Sequence, residues 1–133
     1  MTGADIVGAL LRAHAPLLAK VPPAQIKLGR LPEGAALPAV LIRMVSSVER
    51  PTLVRGAKVR TTDRVGVAVR AESYRDQVEI IRIVRSACAG RVGNIGGGER
   101  VSILSAGTGP DVIGPGNSFE QTQDFRVSFD ADA

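Results

Sequence analysis

The sequence predicts an α+β fold, a mostly antiparallel sheet of about four to five strands with two helices packed on one face. Three observations predict it. Lys58–Arg70 alternates along its whole length: Val59, Thr61, Asp63, Val65, Val67 and Val69 share one parity, and Arg60, Thr62, Arg64, Gly66, Ala68 and Arg70 the other. That is the pattern of an antiparallel strand with one covered face. Two further segments, Ile6–His14 and Tyr74–Cys88, instead repeat apolar residues at helical spacing. The order is helix, three strands, helix, two strands, and short connections between consecutive strands favour antiparallel neighbours.

Each element has its own signals. Ile6, Val7, Leu10, Leu11 and His14 give a first helix from about Asp5 to His14, with Thr2 or Asp5 as its cap. Pro16 interrupts it, Leu17–Leu18 adds one further turn, and Val21–Pro22–Pro23 ends the segment. Gln25–Arg30 reads as a short strand carrying Ile26 and Leu28, and the proline-bearing Leu31–Pro38 as a loop. Val40–Glu49 is a long strand with apolar residues of both parities, so both its faces are expected to be partly covered. Arg50–Gly56 connects it to the alternating strand.

Ser73 opens the second helix, with Asp76 three residues on. Tyr74, Val78, Ile81, Val84 and Cys88 form its apolar stripe, widened by Ile80 and Ala87, and Arg75, Glu79, Arg82 and Arg85 lie opposite. Gly90 is a natural stop. Gly93–Gly98 reads as a flexible connection and Val101–Ile103, with Ser105 at its margin, as a strand. Gly107–Gly116, with four glycines and two prolines, reads as an ordered or semi-ordered tongue. Phe125, Val127 and Phe129 alternate with Arg126 and Ser128 in a closing strand, Phe119–Phe129.

A chain of 133 residues suits one domain, 1–133, and buries a core without disulfides or metals. Its longest apolar runs, such as Pro38–Ile42, are far too short to span a bilayer, and Met1–Asp5 lacks a basic n-region. A cytoplasmic setting without membrane contact is expected. Net charge is +4, and arginine supplies all but three (Lys20, Lys27, Lys58) of the 17 basic residues. Such a balance raises the case for a polyanionic partner. The basic residues are scattered without a run of five, however, and one Tyr with three Phe leaves few platforms for stacking bases.

No catalytic constellation emerges. Cys88 is the only cysteine and reads as a small buried residue, and His14 is the only histidine and reads as a surface residue of the first helix. Neither a thiolate cluster nor a zinc site can be built from them without several carboxylates. Gly93–Gly98 and Gly107–Asp111 look superficially like phosphate loops. Both precede strands rather than helices, and no Gly-Lys-Ser/Thr follows either. Ser46, Ser47, Ser73, Ser102 and Ser105 lack the setting of a nucleophile elbow. Asp130 and Asp132, the one close acidic pair at a strand end, lie in a tail expected to fray. The expectation is a non-enzyme with no cofactor and no metal.

The chain resembles the tail-terminator or tail-completion proteins of long-tailed phages and phage-like gene-transfer particles. The resemblance is carried by the N-terminal helix, by Lys27–Gly34, and by Leu37–Pro38–Ala39–Val40 opening a strand. It continues through Arg64–Val69, the Ser73–Asp76 helix start and the closing strand around Phe125–Phe129. It implies a structural protein that forms a ring, typically a hexamer, at the head-proximal end of a tail tube. The ring would stop tube growth and offer a surface for head joining. The implied partners are other copies of the chain, a tail-tube protein and a head–tail connector protein, with DNA passing through without specific binding. The implied location is the host cytoplasm during assembly, then the particle tail. Another connector, neck or tube protein is the alternative, and a basic nucleic-acid-binding domain a more distant one.

Two segments are candidates for the subunit or tube contact. Glu49–Lys58 mixes Leu53 and Val54 with Glu49, Arg50, Arg55 and Lys58, and exposed apolar residues ringed by charge suit an interface. An ordinary hairpin with Leu53 folded back on its own sheet is the competing reading. Val112 and Ile113 are apolar within the glycine- and proline-rich tongue, and make the second candidate.

Overall fold

In chain order the elements are α1 (Gly3–Arg12), α2 (Ala15–Leu18), β1 (Ile26–Leu28), β2 (Ala39–Arg50), β3 (Lys58–Ala71), α3 (Tyr74–Cys88), β4 (Val92–Ile95), β5 (Gly98–Thr108), β6 (Val112–Ile113) and β7 (Phe119–Asp132). The computed structural model describes residues 1–133. One sheet has the order β1-β2-β3-β7-β5-β4, with β6 also paired to β7. Only the β1–β2 pair is parallel. The class is as predicted, but there are seven strands rather than four to five, and three helices rather than two.

The spine is the β3–β7 pair, in register without a shift from Lys58 opposite Asp132 to Ala71 opposite Phe119. Opposed residues share a face, so the odd positions of both strands form one surface. Val65, Val67, Val69 and Ala71 on β3 and Phe125, Val127 and Phe129 on β7 are all buried there. They join Ile6, Val7 and Leu11 of α1 and Ile80, Ile81, Val84, Ala87 and Cys88 of α3 in one apolar cluster. Both helices therefore lie on the same face, as the parity predicts.

The caps explain where the helices begin. Thr2 and Asp5 act together: the Asp5 N–H donates to Thr2 Oγ1 at 3.3 Å and the Thr2 N–H to Asp5 Oδ2 at 2.8 Å. α1 ends at Arg12 rather than His14, because His14 becomes the extended cap of α2 and Pro16 fits that helix's first turn. Ser73 caps α3 by accepting from the Asp76 N–H at 3.2 Å. The buried stripe of α3 is Gln77, Ile80, Ile81, Val84, Ala87 and Cys88. It is rotated from the predicted one: Val78 is half-buried and Tyr74 is 51% exposed.

The extra strands come from segments read as loops. Gly96 and Gly97, with φ of 57° and 84°, make a two-residue turn that sets Ile95 opposite Gly98. Positive φ at both central positions matches the right-handed twist of a tight hairpin and is open to glycine at little cost. The glycine run is thus a hairpin, not a flexible connection. Within the tongue, Val112 and Ile113 pair with Glu120 and Phe119 as β6.

Candidate assembly surfaces

The β2–β3 hairpin leaves the core behind. β1 pairs with β2 only at Val40–Ile42, so beyond it β2 is an open sheet edge. Ala39–Ile42 are buried, whereas every residue from Arg43 to Lys58 is exposed. The expectation that both faces of this strand are partly covered holds only for its first four residues. A bulge at Val45 shifts the register between Met44 and Ser46, which bends and twists an edge that would otherwise invite strand addition. Val45, Val48, Leu53 and Val54 are all exposed apolar side chains of this arm. Leu53 is fully exposed, which overturns the reading that it folds back on its own sheet.

The helix-free face carries an ion-pair ladder between β3 and β7. Lys58 Nζ meets Asp132 Oδ1 at 2.7 Å, and Arg60 Nη1 meets Asp130 Oδ1 at 3.2 Å. Thr62 and Ser128 hydroxyls are 2.9 Å apart. Arg64 lies opposite Arg126 and turns instead to Asp124, its Nε donating to Oδ2 at 2.9 Å. Arg70 Nε donates to Glu120 Oε1 at 2.5 Å. The even parity of β3 thus supplies cations and that of β7 mostly anions, and these cancel along the strand except at Arg126, which has no acid of its own. The rest of the surplus positive charge lies off the ladder: Arg43, Arg50, Arg55, Arg75, Arg82 and Arg85 are exposed and make no ion pair.

At the other end of the spine a polar clamp orders the tongue. Tyr74 Oη donates to Asp111 Oδ2 at 3.1 Å, and Gln77 Nε2 reaches both Asp111 Oδ1 (3.1 Å) and Gln121 Oε1 (2.8 Å). Gln121 Nε2 in turn donates to the Gly109 carbonyl at 2.9 Å. The hydrogen bond that Tyr74 donates to Asp111, and then the charge of Asp111 itself, raise the pKa of Tyr74. Gln77 is fully buried, and this network satisfies its Nε2 on the covered stripe of α3, while its Oε1 has no hydrogen-bond partner. Around the clamp, Tyr74, Val112 and Ile113 expose apolar surface, and Tyr74 stacks edge-on to Phe119 at 6.4 Å.

All eight predicted contact residues are exposed, but they form two groups. Glu49, Arg50, Leu53, Val54, Arg55 and Lys58 lie at the arm end of β3, and Val112 and Ile113 at the opposite end. Fourteen residues of β3 separate the ends, about 40 Å at about 3.3 Å per residue. Tyr74 belongs with the second group and was missed because its spacing fits the apolar stripe. Its place in the first helical turn, beyond the last buried strand residue Ala71, was the available signal.

Other groups with chemical potential stand apart. Cys88 is buried, and desolvation pushes its thiol up to about 12 against a smaller opposing effect of Arg91, so at neutral pH it is not a thiolate. His14 is half-buried at the start of α2. An open cleft of about 570 Å³ lies between the Arg30–Leu37 loop and the Pro115–Gly116 turn, with Arg30, Glu33 and Arg70 as its charged groups. No group of three or more His, Cys, Asp or Glu side chains is placed to hold a metal ion, and no helix is long and apolar enough to cross a membrane.

No family model matches the chain, and no curated protein matches its sequence. Among solved structures the fold is similar to a chain of the virion of the native gene transfer agent (GTA) particle, with a TM-score of 0.70 and 13% sequence identity. The match covers 97% of this chain and 95% of that one. The likeness is one of fold, carried through almost the whole of both chains.

Proposed function

We propose that this chain is a structural protein of a phage-like particle, and that it caps the head-proximal end of a tail tube as an oligomeric ring and takes part in head–tail joining. The observation that carries the reading is the fold shared with a chain of a gene transfer agent virion over nearly its full length. The tail-terminator resemblance, which rests on the sequence alone, points to the same kind of particle. The arm adds physical support: a monomer has no evident use for an open edge and turn with five exposed large apolar side chains, Met44, Val45, Val48, Leu53 and Val54, beyond its core. In this reading the ring is a hexamer, its neighbours are the tube and connector proteins, and the chain performs no catalytic step.

DNA passing such a ring should slide and not stick. The ion-pair ladder supports this, because the basic residues of β3 meet acids of β7 before they meet a phosphate. Any duplex binding is expected to be weak, independent of sequence and abolished by moderate salt. Tight sequence-selective binding would favour the nucleic-acid-binding alternative.

The deciding experiment is tube growth in the presence of the purified protein, read by electron microscopy. Tubes of limited length with density at one end are expected. Co-polymerisation along the tube would instead identify a tube subunit, and unchanged tube growth with no end density would overturn the capping role.

A further inference from the structure

The row of the sheet outside β5 is only half filled. β4 and the residues just before it occupy that row as far as Ile103, whose N–H donates to the Arg91 carbonyl at 3.0 Å and whose carbonyl accepts from the Gly90 N–H at 2.8 Å. Backbone groups point to alternate sides along a strand, so Ser105, two residues on in the same register, turns its N–H and carbonyl into that row. No strand of the chain pairs there: β4 begins only at Val92, and upstream of Gly90 the chain belongs to α3. Ser105, Gly107 and Thr108 are exposed. The edge is nonetheless held from behind, because the buried Gln123 donates to Ser105 Oγ at 3.0 Å and accepts from the Thr108 hydroxyl.

A groove runs beside this vacant row. Two open clefts in series, about 580 Å³ and 290 Å³, separate α3 from the margin of β5. Arg82 and Arg85 line both, Ser105 lines the first and Thr108 the second. The first cleft holds no acid. The acid of the second, Asp111, already accepts from Tyr74 and Gln77, and Glu79 on the same helix is held by Lys20. Both guanidiniums are exposed and make no ion pair. We propose that the groove takes an extended acidic segment of a partner protein, which adds a strand outside Ser105–Thr108 and sets its carboxylates against Arg82 and Arg85. Each wall selects one property of the occupant. Unpaired strand groups are satisfied by another extended backbone, and free guanidiniums by carboxylates. Side chains alternate along a strand, so one parity of the segment lies toward α3 and its arginines while the other faces solvent. An edge already fixed by Gln123 leaves little ordering cost to binding on its side. The inference goes beyond the capping role and does not rest on it.

A synthetic peptide that alternates glutamate with threonine is the probe, read by fluorescence anisotropy at low salt and located by amide NMR shifts. Binding is expected, with shifts centred on Ser105–Thr108 and on Arg82–Ala89, and a lysine–threonine peptide is expected not to bind. Methylating one alternate set of the peptide's backbone nitrogens should abolish binding and methylating the other set should leave it, because only one set faces the edge. Arg82→Gln together with Arg85→Gln should weaken binding about tenfold or more, through the loss of two exposed charge pairs. Thermal melting of that variant shows that the fold is kept, and the methylated peptides leave the protein untouched. Equal binding by both methylated peptides would reduce the contact to charge attraction and overturn the added strand. Undiminished binding by the double variant, or no binding of the acidic peptide at all, would overturn the groove as its seat. Binding of a DNA duplex in place of the peptide, lost in the same double variant, would give the arginines to phosphates and overturn the proposal.

Discussion

The two halves of β2 belong to one strand and face opposite fates. Ala39–Ile42 are buried, Val40 and Ile42 on the helix-covered face opposite Val69 and Val67, Ala39 and Leu41 on the other face opposite Arg70 and Ala68. Arg43–Arg50 keep the β3 pairing on one side and are exposed on everything else. Backbone pairing therefore carries the strand well beyond the region where burial stabilises it. In the first half apolar residues hold the fold together. In the second, Val45 and Val48 do no such work, and their exposure is available for contact with another molecule.

Substitution should expose this contrast most sharply in the core. Ile42→Ala, at a fully buried site, is expected to cost about 2–5 kcal/mol. Val48→Ala, six residues along the same strand, is expected to fall within about 0.5 kcal/mol of wild type. The same pairing can be made on α3, where Ile81→Ala should cost about 2–5 kcal/mol and exposed Arg82→Ala very little. Urea unfolding of the four variants measures all of this. Equal losses at Ile42 and Val48 would mean that the outer half of β2 is part of the folded core after all.

A smaller effect is expected where the spine meets α1. The Gly3 N–H donates to Asp63 Oδ2 at 2.8 Å, and Asp63 is almost completely buried on the covered face of β3. A carboxylate there meets the positive end of α1. Gly3 is needed for the approach, since a Cβ on it would lie 2.7 Å from that of Asp63. Asp63→Ala leaves a buried N–H without a partner, a loss of about 1–3 kcal/mol. Asp63→Asn, which keeps an accepting oxygen, should recover part of it in the same unfolding experiment.

The arm should show the reverse balance. Replacing Leu53, Val54 and Arg55 together by Ser, Ser and Glu is expected to leave circular dichroism and the melting temperature essentially unchanged. Light scattering should nonetheless show loss of the assembled species, and tube capping should fail with it. Normal assembly by this folded variant would remove the arm tip from the contact, and a variant that cannot fold would place Leu53 and Val54 in the core.

How much of this was legible in the sequence follows from which interactions are local. The alternation of Val65, Val67 and Val69 gives β3 and its covered face, because strand periodicity is written directly in the chain. Thr2 and Ser73 give the helix starts, because caps act over three residues. The spacing of α3 puts Tyr74 and Val78 inside, because the residue buried there, Gln77, is polar and its Nε2 finds Asp111 and Gln121 only from far along the chain. The Gly96–Gly97 turn reads as flexible in the sequence because glycine signals freedom and a demand for positive φ alike. β6 is two residues long and rests on pairing with β7 and on the clamp, neither of which leaves a periodic trace. Of the contact residues, exposure of Glu49–Lys58 was legible from composition, whereas the part of Tyr74 in the far patch depends on where the tongue folds.

The smallest expected effect separates the two ends of the ion-pair ladder. Arg70–Glu120, at the core end, is mostly shielded, with side chains 23% and 20% exposed. Lys58–Asp132, at the arm end, lies in solvent. The hydrogen bond from Lys58, and then its charge, hold the Asp132 carboxyl below its ordinary range, while the same bond raises the pKa of Lys58. The lowered acid contributes stability that is present above its unfolded pKa, about 3.9, and is lost as pH falls through the folded value. The raised base contributes stability that is present below its unfolded pKa, about 10.4, and is lost as pH rises through its folded value. Between these limits the pair is flat with pH, and salt screens it because both groups are solvated. Asp132→Asn should therefore change the stability of the chain little at neutral pH and remove only a slight acid-side slope, in low salt alone. Glu120→Gln should cost more and keep most of its effect at high salt, because the half-buried Arg70 loses its only ionic partner. Equal salt sensitivity of the two variants in paired unfolding curves would show that the shielded and solvated ends of the ladder do not differ in the way their burial implies.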